Sequence, residues 1–146
     1  TWVSTQESIA KVSSSGKRKA ENTGKKAGTT KITVSADEAV SGTSGVSTTV
    51  SVWTGVTETG AVTKSDVAGK KGAVYEAEST GTLAADTKVK IIGQCGSYYY
   101  IKQEDGNFAF VEKVSLRIPV TSVTLNKEEL TLGIGKSFPL SVEIEP

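Results

Sequence analysis

The chain has 146 residues, room for one ordinary domain or two small ones, with 36% hydrophobic and only 6% aromatic residues. Its 17 basic and 16 acidic side chains nearly cancel, so no strong field draws it to nucleic acid or to an anionic membrane, and no apolar run approaches the roughly 20 residues of a membrane span. Without His and with Cys95 alone, an intrachain disulfide, most transition-metal sites and the usual nucleophile–base pairs are out of reach. The chain is therefore read as a non-enzyme without a cofactor. Met is absent, even at position 1, as expected of a fragment or an excised mature piece. Thr1-Trp2-Val3-Ser4 lacks the basic start and apolar core of a secretory signal.

Residues 1–36 carry apolar anchors at Trp2, Ile9, Val12, Ile32 and Val34. The run Ser13-Ser14-Ser15-Gly16 predicts a turn, and the alternating, β-branched stretch from Thr29 to Val34 predicts a strand. Three or four short strands in this length do not close a core, so the piece needs a partner.

Residues 37–70 shift to Ser, Thr, Gly and Ala. Ser41 to Gly45 reads as a flexible connector. The Val residues on either side of Trp53 predict one hairpin, STTVSVWTG followed by ETGAVTKS; the competing reading is a loosely ordered linker with an exposed Trp53. Residues 71–117 are the densest apolar and aromatic segment, three or four strands joined by Gly-bearing turns. Residues 118–146 alternate at Leu130, Leu132 and Ile134, then at Phe138, Leu140, Val142 and Ile144, which predicts two half-buried strands. Nothing is helical over a useful length. The class is all-β.

The two ends resemble halves of one module, the bacterial immunoglobulin-like domain of group 2. Its opening half is similar to VTSVTLNKEELTLGIGKSFPLSVEIEP at 120–146. Its closing half is similar to Trp2, then SIAKVSSSGK, then AGTTKITV; the 19–26 segment is longer than the pattern. The closing half comes first, which suggests a window cut from a tandem array, or ends that meet as in a circular permutant. In this chain the two partial sandwiches are expected to associate, within one molecule or between two, because unpaired strand edges invite aggregation. The 71–117 segment resembles a bacterial SH3-like domain, a small barrel. The resemblance rests on Ala73-Val74-Tyr75, Leu83, Thr87-Lys88-Val89-Lys90-Ile91, Gly96, Tyr98-Tyr99, Ile101, Asp105-Gly106, Ala109-Phe110-Val111 and Leu116. Tyr98 stands where that family has Trp, and Ala109 where it has Gly.

On one strand, Tyr99 and Ile101 share a face and Tyr98 and Tyr100 share the other. Ile101 is expected in the core with Val89, Ile91 and Val111. Tyr98 and Tyr100 then line the outer face with Tyr75 and Phe108, a candidate groove. By the resemblance such a groove takes extended peptides, often cell-wall peptide or glycan, and Tyr suits it with a rigid apolar face and a polar tip. The competing reading is that these rings only cover a thin core. Asp105-Gly106 reads as a hairpin turn rather than a calcium loop. The pairs Glu76/Glu78 and Asp37/Glu38 have no flanking site for glycoside hydrolysis. Lys17-Arg18-Lys19 and Lys25-Lys26 read as a solvated edge. Cys95 is either a small buried hydrophobe or an exposed thiol.

Together these features imply a non-catalytic segment of a secreted or surface-anchored bacterial protein. Its immunoglobulin-like spacers would flank a module for adhesion or cell-wall binding, with cell-wall peptide, glycan or a host surface protein as partner. The alternative is the accessory cell-wall-targeting region of a secreted peptidoglycan hydrolase whose catalytic domain lies elsewhere.

Overall fold

Fourteen short strands and a single 3₁₀ turn at Lys113–Ser115 make up the secondary structure of a computed structural model that describes residues 1–16, 18–35 and 45–145. The protein is all-β. The connector expected at 41–45 lies outside the described residues except for Gly45.

The N-terminal part forms a three-stranded antiparallel sheet in the order β1 (Trp2–Ser4), β4 (Gly28–Val34), β5 (Val46–Val52). A separate hairpin of β2 (Ala10–Gly16) and β3 (Lys19–Gly24) lies beside it. The serines expected to turn at 13–15 instead lie inside β2, and the chain reverses after Gly16. Ile32 and Ala10 are buried. Ser4, also buried, donates its hydroxyl to the Ala10 carbonyl at 2.7 Å, which satisfies a polar group that burial would otherwise penalise.

The hairpin expected around Trp53 does not form. β5 pairs with β4, whereas β6 (Thr54–Thr63) pairs with β9 (Lys88–Cys95) and with β12 (Leu116–Arg117). The chain thus crosses from one sheet to another at Trp53. β6 and β7 (Val67–Lys70), from the segment read as a linker, are integral to the central sheet. That sheet has the order β12-β6-β9-β10-β11-β7-β8, with β8 at Ser79–Leu83, β10 at Tyr98–Gln103 and β11 at Phe108–Glu112. β6 and β7 lie second and sixth in this order, yet only residues 64–66 join them. The sheet must therefore curl until those positions meet, although its hydrogen-bond ladder does not close.

Inside the curl, Val89, Ile91, Ile101, Val111, Leu83, Ala61, Ala109 and Leu116 form the main core, with Val56, Val67 and Tyr99 at its margin. Each large aliphatic side chain fully buried here is worth about 1.5–3 kcal/mol. Thr63, fully buried, donates to the Ala84 carbonyl at 2.6 Å and accepts from the Thr87 amide at 2.9 Å, fixing β6 to the turn before β9.

The C-terminal segment contributes only β13 (Ser122–Leu125) and β14 (Val142–Glu145), paired with each other. Leu130, Leu132 and Ile134 are exposed and outside any strand, so the two half-buried strands expected here are not what forms. Alternation gives a strand two unlike faces, but a strand persists only where a sheet or second layer receives it. Nor do the two ends share a ladder among the described residues. The N-terminal sheet takes β5 as its third strand instead.

Candidate ligand-binding surface

A β-bulge builds the aromatic surface. Tyr100 pairs with Gly93 and Ile101 with Ile91, so Ile92 is an extra residue on β9. Before it, Val89 and Ile91 point into the core. After it, Gly93 and Cys95 point to the opposite face, as expected when one inserted residue re-aims a strand. Tyr98 and Tyr100 share that outer face with Cys95 and Phe110, while Tyr99 and Ile101 pack toward the core.

Tyr100 is the hub. Its ring lies 4.8 Å from Trp53, 5.7 Å from Phe108 in a stacked arrangement and 4.8 Å from Phe110. These separations fall in the range where aromatic pairs attract beyond simple burial. Gly93 makes the arrangement possible, since a Cβ there would lie 2.3 Å from Cε3 of Trp53. The Trp53 ring therefore rests directly on β9 backbone. Trp53 and Phe108 remain 42% and 45% exposed, so the row ends in solvent on both sides. The Lys102 ammonium sits 6.0 Å from the Phe108 centroid and adds a cation at one end.

The four residues expected in the groove separate into three situations. Tyr100 and Phe108 come together. Tyr98 is on the expected face but only 5% exposed, covered in a small cluster with Cys95, Phe110 and Ala73, so it cannot offer a ring to a ligand. The cover comes from the N-terminal sheet and the 71–77 loop: Thr29 Oγ1 lies 4.0 Å from Cys95 Sγ, and the Ala73 amide donates to Ser51 Oγ at 2.9 Å. Tyr75 is 76% exposed on that loop, its ring 4.5 Å from the Lys70 ammonium, and it is not stacked in the row. Burial, followed by the charge of Glu112 and a 3.4 Å hydrogen bond donated to its Oε1, raises the Tyr98 phenol above its ordinary value.

Trp53 is not among the groove residues the sequence suggests, where it belongs to a hairpin or a linker; Gly93, directly beneath its ring, is the signal that could have placed it here. Cys95 is buried and behaves as a small hydrophobe. The Asp105-Gly106 turn forms as expected. Gly106 adopts φ +86°, and Asp105 Oδ1 accepts the Asn107 amide at 2.9 Å. The basic residues Arg18, Lys19, Lys25 and Lys26 are all exposed. Among the described residues no three His, Cys, Asp or Glu side chains converge as a metal site, and no helix is long and apolar enough to cross a membrane.

Two open depressions lie among the described residues, neither lined by the rings of this row. One, of about 850 Å³, is lined by several threonines, Thr30 and Thr48 among them, together with Lys31, Glu76 and Glu78. The other, of about 610 Å³, lies at the far end of β6, between Val62, Lys88, Glu104 and Pro119. Compared with known protein families, curated proteins and solved structures, the chain matches none.

Proposed function

We propose that the chain is a non-catalytic binding segment of a bacterial secreted or cell-surface protein. In this reading the flanking β-segments are immunoglobulin-like spacers, and the central sheet is an SH3-like recognition module for cell-wall peptide or glycan. The observation that carries the reading is the row Trp53–Tyr100–Phe108, a run of rings with both ends in solvent. Flat apolar faces of this kind suit the apolar side of a sugar or an extended peptide, and the Thr-rich depression nearby offers hydroxyls for a polar rim.

Co-sedimentation with purified peptidoglycan tests it. Wild-type protein is expected in the pellet, and a Trp53→Ala/Phe108→Ala variant is expected to lose about tenfold or more in affinity, as when central aromatic anchors are truncated. Both rings are about half exposed, and a circular dichroism spectrum that matches the wild type confirms that the variant is folded. Equal retention of both proteins, or of neither, sinks the assignment.

A further inference from the structure

The outer face of β9 and β10 carries three exposed lysines where the sheet has no structural use for them. Alternation sends Val89 and Ile91 into the core and leaves Lys88 and Lys90 outside. Lys102 of β10 stands directly opposite Lys90. Like charges in that position repel, whereas a carboxylate there would have stabilised the pair. On an edge strand, lysine discourages edge-to-edge pairing. β9 and β10 are the third and fourth of seven strands, so neither has an edge to guard.

The carboxylates nearby do not use up this charge. Lys90 meets Glu58 at 2.6 Å. Among the described residues neither Lys88 nor Lys102 forms an ion pair, and Lys102 only approaches the Phe108 ring, 6.0 Å from its centroid. Glu104 is exposed beside them. Three lysines against Glu58 and Glu104 leave one net positive charge.

The lysines stand around a floor that has no side chain. Gly60 of β6 pairs with Lys90 on the side away from Lys102, and Val62 pairs with Lys88. Glycine inside a strand weakens it, and often marks a place where a ligand or another backbone comes close. Neither usual structural reason for glycine applies at Gly60. Its φ lies outside the left-handed region, and a Cβ there would meet nothing within 4 Å. What the missing side chain leaves is room. β12 pairs with β6 only at Val62 and Thr63, and beyond it Pro119 and Thr121 line the same hollow. Its volume of about 610 Å³ falls within the ~300–1,000 Å³ of small-molecule sites.

We propose that this hollow binds a small organic monocarboxylate, about the size of a single sugar, with its carboxylate between Lys88 and Lys102 and its body over Gly60. The bound charge offsets the repulsion between Lys90 and Lys102 and matches the single net positive charge of the site. Glu104 disfavours a ligand of higher negative charge. The hollow adjoins the aromatic row only through Lys102 and uses none of its rings, so it stands whether or not that row binds cell wall.

NMR titration of the ¹⁵N-labelled chain at constant ionic strength tests the site, with acetate, glucuronate, neutral glucose and inorganic phosphate as probes. The carboxylates are expected to shift the amides of Gly60, Lys90 and Lys102 saturably, and glucose to leave them in place. Lys88→Gln/Lys102→Gln is expected to weaken carboxylate binding about threefold or more, the scale of partly exposed charge contacts. Glu104→Gln is expected to tighten it by a similar factor. Gly60→Leu keeps every charge but fills the floor, and is expected to abolish saturation by glucuronate; a circular dichroism spectrum that matches the wild type confirms its fold. A wild type that saturates with neither carboxylate overturns the proposal, and so does tighter binding of phosphate. Glucuronate binding that Gly60→Leu leaves at full strength also overturns it, because diffuse charge on the sheet would then suffice.

Discussion

The central sheet and the C-terminal hairpin are written in the same alternating pattern and meet opposite fates. In β9, β10 and β11 the apolar positions Val89, Ile91, Ile101 and Val111 are buried almost completely. In β13 and β14 the equivalent positions Val123, Leu125, Val142 and Ile144 lie about half in water. The difference is not hydrophobicity. The central strands curl back on their own sheet, because β6 and β7 reach both sides of it from a single three-residue connection, whereas among the described residues the terminal hairpin pairs only with itself and its apolar face stays about half exposed. Alternation encodes a face, and topology decides whether that face has a neighbour.

The most direct way to break this comparison is to truncate one residue of each kind. Ile101→Ala opens a cavity in the main core and is expected to cost about 2–5 kcal/mol. Ile144→Ala, measured in dilute solution, is expected to change stability by about 0.5 kcal/mol or less. Urea unfolding followed by tryptophan fluorescence gives both values. Comparable losses would mean that the hairpin is packed against the body of the protein.

Gly93→Ala probes the outer face of the same sheet. Its methyl group would collide with the Trp53 ring and with the Thr54 carbonyl 3.1 Å away. The ring must lift off β9, with a loss of about 1–3 kcal/mol and a red-shifted Trp53 emission, read in a Trp2→Phe background. An unshifted spectrum would show that the ring does not rest on the backbone.

What could be read ahead of the structure follows from the same logic. The all-β class, the core positions Val89, Ile91, Ile101 and Val111, and the opposite facing of Tyr98/Tyr100 and Tyr99/Ile101 are local consequences of period-2 alternation. Three things were not legible. The extra residue Ile92 leaves no mark in an apolar run, yet it decides that Gly93 and Cys95 join the aromatic face. The handover at Trp53 looks like a hairpin because the residues on both sides favour strand, and only the competition from β4 and β9 for those strands separates them. Tyr98 is buried in a cluster with Cys95 and Phe110 against which Ala73 packs and whose Cys95 meets Thr29 of the N-terminal sheet, partners distant in sequence. Of the four residues expected in the groove, alternation identified the face but could not say which rings a neighbouring layer would cover.

Tyr98 and Tyr100, one covered and one partly open on the same strand, sharpen the comparison through pH. The neutral Tyr98 phenol is favoured in the folded state, chiefly by burial and then by Glu112. Its folded pKa therefore lies above the unfolded value near 10. The associated stability is fully present below about pH 10 and is lost as pH rises through the folded pKa. Tyr98→Phe is expected to flatten the fall in stability across that alkaline window. Glu112→Gln is expected to lower the Tyr98 pKa only part of the way, since burial remains. Spectrophotometric phenolate titration reads both, and a Glu112→Gln variant that restored the ordinary value completely would make charge, not burial, the dominant cause.

The smallest expected effect belongs to the solvent face of the same strands. Lys90 and Glu58 meet at 2.6 Å across β6 and β9, with both side chains largely in water. The hydrogen bond from Lys90, helped by its charge, holds the Glu58 carboxyl below its ordinary value. A depressed carboxylate supports the fold above its unfolded pKa and loses that support as pH falls through the folded one, but solvent screens an exposed pair and leaves the contribution slight. Lys90→Ala is expected to raise the Glu58 pKa toward the usual carboxylate range, as followed by NMR titration of its side-chain carboxyl, with almost no change in the unfolding midpoint. A large midpoint shift would mean that Lys90 works through its aliphatic stem, packed along the sheet, and the contrast between a buried face that sets stability and an open face that does not would then fail within the central sheet itself.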